Sequence, residues 1–190
     1  SYLCGHLMNS KAMMDSQKSS VDMNDDNKVN IIDYILLKGA LIGIPVPDPD
    51  PVKITFEGSS IKAEDSVRLS VEGTKLFITS NGIFEFSGAM TTDAEIIVAV
   101  PQTDAGNVEL KFDGVTMKNS DSTPCILVEN AEKTKITFTG ENSLSNTSDI
   151  AEDESAVIYA KDDITFTKNS TGTLDITTGS QLGIFCNNDI

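Results

Sequence analysis

The stretch ILVENAEKTKITFTGENSLSN, residues 126–146, decides the fold. It holds three short β-type runs, ILVEN, KITFTG and SLSN, separated by turn residues. In the middle run Ile136 and Phe138 alternate with Thr137 and Thr139, the period of two that sends apolar side chains to one face of a strand and polar ones to the other. The first run recurs. CILVEN (125–130), VIYAKD (157–162) and GIFCNN (183–188) align with Ile126, Ile158 and Ile184 in register, 32 and 26 residues apart, and a weaker copy, IIVAV, begins at Ile96. Irregular spacings of this size suit the coils of a parallel β-helix better than leucine-rich or propeller repeats.

The other two runs recur as well. VELKFDG from Val108, KITFTG from Lys135 and DITFTK from Asp163 would stack Leu110 and Phe112, Ile136 and Phe138, and Ile164 and Phe166 inside successive coils. VTMKN, SLSN and TLDIT supply a third short strand each. The expectation is a mainly β protein, a right-handed parallel β-helix with three strands per coil over residues 52–190. The sequence stops at NNDI, partway through a coil, which gives the expectation of a C-terminal cut and an open coil edge.

Residues 43–51 lie in GIPVPDPDPV, a Pro-rich stretch that reads as a stiff, extended linker. Residues 1–42 before it have helical spacings and one informative loop. DMNDDNKVNIID, Asp22 to Asp33, places side-chain oxygens of Asp22, Asn24, Asp26, Asn30 and Asp33 at loop positions 1, 3, 5, 9 and 12, with the Lys28 backbone carbonyl at position 7. Ca²⁺ takes six to eight oxygens, and one loop of this spacing wraps around it as in an EF-hand. Asn27 stands where Gly usually makes the turn, a position Asn tolerates, and Asp33 replaces the usual final Glu. The bland alternative is a solvated acidic loop before a helix.

The chain of 190 residues carries a net charge of −15, which repels a phosphate backbone and makes nucleic acid a poor partner. Its longest apolar run, YILLKGALIGI, is short and is broken by Lys38, so no membrane span is expected. Cys4, Cys125 and Cys186 form no CxxC pair, and the one histidine, His6, is too little for a histidine-based site. Catalysis would need a base beside a uronate carboxylate or a carboxylate pair. Arg68 is the sole arginine, and carboxylate pairs are too numerous in an acidic chain for spacing to select one.

Two surface sites follow from the repeat. With Ile126, Ile158 and Ile184 inward, Leu127, Tyr159 and Phe185 form an outward column on which sugar rings could stack, unless another segment covers it. Outward Thr137, Thr139, Thr165 and Thr167 could meet sugar hydroxyls, although Thr is also simply a good strand residue. At the turn after the first strand Asn130, Asp162 and Asn188 should stack. Either they satisfy turn amides, or Asp162, Asp163 and Asp189 share a second Ca²⁺ with Asp153 and Glu154 of the acidic loop from Asp149 to Glu154.

The calcium loop followed by YILLKGALIG resembles the dockerin family over residues 1–42, and LCGHLM (3–8) matches LKGALI (37–42) as the helix of a first repeat. An offset of 34 residues places that repeat's loop before residue 1, so an N-terminal cut is expected too. The resemblance implies calcium-dependent binding to a cohesin module of a scaffoldin, through positions that correspond to Ile31, Ile32, Lys38 and Gly39. Residues 52–190 look like secreted carbohydrate-binding parallel β-helix proteins similar to polysaccharide-lyase folds, on NGIFEFSGAM, VELKFDGVTMKNSD, ESAVIYAKDDITF and the runs above. The resemblances together imply an extracellular, cell-surface or secreted, non-catalytic component of a cellulosome-like complex that binds plant cell-wall polysaccharide of cellulose or pectin type. A β-helix polysaccharide lyase or hydrolase and a structural surface adhesin are the alternatives.

Overall fold

The computed structural model describes residues 22, 37, 50–64, 67–101, 106–148, 156–179 and 182–187. The chain divides into two units, Ser1–Asp50 and Pro51–Ile190. Of the first, only Asp22, Leu37 and Asp50 are described, so Asn24, Asp26, Lys28, Asn30, Asp33, Ile31, Ile32, Lys38 and Gly39 lie outside the described residues. No helix among the described residues is long and apolar enough to cross a membrane.

The second unit is mainly β. Its strands are β1 (Val52–Gly58), β2 (Ser60–Ala63), β3 (Leu69–Glu72), β4 (Lys75–Ile78), β5 (Gly82–Asp93), β6 (Glu95–Ala99), β7 (Asn107–Asn119), β8 (Ile126–Asn130), β9 (Lys133–Thr139), β10 (Glu141–Asn146), β11 (Ala156–Ala160), β12 (Ile164–Phe166), β13 (Thr173–Thr178) and β14 (Leu182–Cys186). One sheet runs β12-β9-β7-β5-β1-β2, with β10 joined to the far half of β7 and to β13; the other runs β14-β11-β8-β6-β4-β3. All pairings are parallel except β1 with β2 and β3 with β4, the two hairpins at the N-terminal edge.

The isoleucine register read from the repeat is present: Ile96, Ile126, Ile158 and Ile184 form one row across β6, β8, β11 and β14. In the other sheet Phe86, Phe112 and Phe138 stand in one row, Leu110 pairs with Ile136, and all are buried. The rings stack, with centroids 4.8 Å apart from Phe86 to Phe112 and 5.4 Å from Phe112 to Phe138. Inward side chains of both sheets meet in one continuous core.

One expected register is wrong. Ile164 pairs with Thr134 and Phe166 with Ile136, two residues away from the alignment suggested by the likeness of KITFTG and DITFTK. The turn length explains it. Val128 and Ala160 are level in one sheet, but six residues lead from Val128 to Thr134 and four from Ala160 to Ile164. Ile164 therefore enters the sheet early. The ladder recovers after residues 167–170, where the Ser170 hydroxyl accepts from Phe138 N and the Thr171 and Gly172 amides donate to Phe138 O. The Phe166 ring still stacks on Phe138, at 6.2 Å.

Candidate functional site

Alternation along β1, β5, β7 and β9 sends every second side chain away from the core, and parallel register lines those side chains up. Two rows result. Lys53, Glu85, Lys111 and Thr137 form the first, and Thr55, Ser87, Asp113 and Thr139 the second. The β1–β2 hairpin extends both, placing Lys62 beside Thr55 and Glu64 beside Lys53, whose carbonyl accepts from Glu64 N. These ten residues, with Ala63 and Phe86, line an open trough of about 730 Å³.

The trough is polar and mixed in charge. Lys111 Nζ lies 3.8 Å from Glu85 Oε1 within the first row. Lys62 Nζ is 2.6 Å from Glu57 Oε2 on the same hairpin, and Lys53 has no ion-pair partner among the described residues. Toward β12 the row ends where Thr137 is buried and its Oγ1 lies 2.8 Å from Thr167 Oγ1. Thr139 Oγ1 donates to Phe112 O at 3.3 Å, so its oxygen keeps accepting capacity. Phe86 is 1% exposed, so no aromatic face opens into the trough, and the floor offers hydroxyls, ammonium groups and carboxylates.

The structure brings part of the sequence-predicted sites together. Tyr159 pairs with Leu127 on one side and Phe185 on the other, with the Tyr159 and Phe185 rings 5.7 Å apart, and the column continues through Ile97 to Phe77. It differs from an open stacking platform at its centre. Tyr159 is 6% exposed and its hydroxyl accepts from Asn187 Nδ2, while Leu127 and Phe185 are half-buried.

Asp162 behaves as a turn residue: its Oδ2 accepts from Ala131 N, one pass earlier, and its Oδ1 from Asp163 N. Asp153, Glu154 and Asp189 lie outside the described residues, and among the described residues no three His, Cys, Asp or Glu side chains are placed to hold a metal ion. The buried asparagines that close turns stand elsewhere. Asn142 accepts from Val115 N and donates to Thr139 O and Thr173 O; Asn119 and Asn146, level with each other, bridge the turn at residues 121–124. The matching pairs Asn119-Ser120 and Asn146-Thr147, each ending a third strand, carried that signal in the sequence.

Sequence reasoning picked out Thr137 and Thr139 but not Lys53, Glu85, Lys111 and Asp113. Their signal was present in VKITF, GIFEFS and VELKFDG, where each charged residue sits between core residues.

The parallel β scaffold thus presents rows of hydroxyl and charged groups in an open trough. The chain belongs to the family of carbohydrate-binding domain-containing proteins, which matches residues 72–190. A relative from Acetivibrio thermocellus, also described as a carbohydrate-binding domain-containing protein, is 32% identical over 146 residues, covering 73% of this chain and 49% of the relative. A solved structure described as the polysaccharide lyase-like protein from C. thermocellum, a gadolinium derivative, matches with a TM-score of 0.60 and 29% identity, over 73% of this chain and 56% of that one. The chain thus spans about half the length of the proteins it matches.

Proposed function

We propose that residues 52–190 form a right-handed parallel β-helix with three strands per coil, and that this module binds polysaccharide in the two-row trough without cleaving it. The observation that carries this is the lining: ten of its twelve residues fall in two registered outward rows, in a chain of a carbohydrate-binding family. Residues 1–42 act as a dockerin. Their Asp22 to Asp33 loop holds Ca²⁺, and Ile31, Ile32, Lys38 and Gly39 face a cohesin, so that the glycan-binding module is delivered to a cellulosome-like complex outside the cell, on plant cell-wall polysaccharide. Loop spacing supports that part.

A lyase is the second reading, favoured by the lyase-like description of the structural neighbour. Retention of the full chain on cellulose, pectate and xylan, with and without chelator and followed by product analysis, separates the two. Retention without products is expected. New reducing ends or unsaturated uronates establish the enzyme, and no retention on any glycan leaves a structural adhesin.

A further inference from the structure

We infer that the trough is built for an uncharged, hydroxyl-rich glycan laid across the strands, one sugar ring to a strand, and that it turns polyuronates away. This rests on the trough being the glycan site. Along the first row the charges alternate, Glu64, Lys53, Glu85, Lys111, and in the second Lys62 and Asp113 offset each other. Three ammonium groups and three carboxylates cancel there, on a chain whose net charge is −15. The trough is a neutral island on an acidic protein.

Adjacent strands lie about 4.8 Å apart, close to the advance of one pyranose ring along a β-1,4-linked chain. A glycan crossing the strands therefore meets one new member of each row per ring. A hydroxyl both donates and accepts, so it finds a partner beside an ammonium and beside a carboxylate alike. A uronate carboxylate only accepts. With one on every ring, two successive carboxylates that both face the first row meet Lys111 and Glu85 in turn, and sliding by one strand exchanges the two. Unpaired like charges in a fixed register select against a ligand more strongly than one favourable pair selects for it. With no aromatic face in the lining, affinity comes from hydroxyl contacts and grows with each strand spanned. Four parallel strands, β1, β5, β7 and β9, carry the rows between the β2 wall and Thr167.

Isothermal titration of the full chain with cello- and xylo-oligosaccharides of two to six units, and with oligogalacturonates of the same lengths, all in chelator, tests this. Affinity for the neutral series should rise to four units and then level off, with galacturonates at least about tenfold weaker at equal length. Lys111→Gln and, at an exposed position, Asp113→Asn should each weaken the neutral ligand about three- to tenfold with the thermal midpoint unchanged, and Glu85→Gln with Asp113→Asn should narrow the gap to galacturonate. Preference for galacturonate, affinity indifferent to length, or binding unchanged in the folded trough variants overturns the inference while glycan binding stands. Failure to bind any oligosaccharide or polymer overturns the underlying function.

Discussion

Phe112→Ala removes the middle rung of a stack that ties four parallel strands together. Phe112 is fully buried, with Phe86 at 4.8 Å on one side and Phe138 at 5.4 Å on the other. Truncating a buried Phe to Ala costs about 3–5 kcal/mol, and each lost ring pair accounts for about 0.5–1.5 of that. The upper part of the range applies. Both neighbouring rings are held by strand register and cannot close the gap, which leaves a cavity between them. Phe56 offers the internal comparison: it is equally well buried, but its single ring neighbour, Phe86, is 5.9 Å away and tilted by 38°. Phe56→Ala should cost less, about 3 kcal/mol. Urea unfolding of the full chain, followed by far-ultraviolet circular dichroism because the chain has no tryptophan, reads both losses. A domain of this size is stable by only about 5–15 kcal/mol, so a large shift in midpoint at constant slope is expected for Phe112→Ala. A loss under about 1.5 kcal/mol, or one no larger than for Phe56→Ala, refutes the continuous ring core.

Asn142→Ala strips a buried turn of an acceptor for Val115 N and donors to Thr139 O and Thr173 O, and should cost about 2–3 kcal/mol in the same assay; Asn142→Asp, which keeps the acceptor and loses the donors, should rescue only part. Gly88→Ala places a Cβ 2.3 Å from Phe56 O at a backbone φ of +88°, so it should lower the thermal midpoint more than Gly73→Ala, where the φ is also positive but space is open. Burial pushes the Cys125 thiol up to about 12, against a lowering by the Ser145 backbone and with Glu95 and Asp93 adding to the rise. Because the folded state then holds a proton that the unfolded state releases from about pH 9, stability should fall between pH 9 and 12, and Cys125→Ala should flatten that slope in pH-dependent urea titrations.

The core was legible because it repeats a simple rule. Isoleucine in CILVEN, VIYAKD and GIFCNN, and the Leu-x-Phe and Ile-x-Phe alternations of β7 and β9, can be buried together only if equivalent runs pair in parallel. The register of β12 escaped because local likeness outweighed arithmetic. KITFTG and DITFTK look equivalent, yet the preceding turn is two residues shorter in the second, and chain length between paired strands fixes register more firmly than resemblance between strands. Turn closure was legible at Asp162, which accepts from Ala131 N and Asp163 N, and missed elsewhere for a related reason. Asn130 and Asp162 drew attention by following the most obvious repeat, whereas the buried asparagines sit in the third strands, Asn142 near the start of β10 and Asn119 and Asn146 at strand ends, where the apolar signal is weak.

The trough was hidden by the same alternation that revealed the core. Reading VELKFDG for Leu110 and Phe112 already fixes the direction of Lys111 and Asp113, and reading KITFTG for Ile136 and Phe138 fixes Thr137 and Thr139. A single strand cannot show more than that, since one lysine between two core residues is ordinary surface. The chemistry arises between strands, where register sets Lys53 beside Glu85 and Glu85 beside Lys111. The aromatic column gave the opposite outcome. Tyr159 is conspicuous in sequence but 6% exposed, whereas the less conspicuous Lys53, Ser87 and Asp113 of the trough rows are exposed. In a scaffold of parallel strands the inward face is specified residue by residue, because a slip costs core burial, and the outward face takes its character only as a sum over strands. Recognition of a repeating polymer by such a surface depends on register, and register is set in the turns.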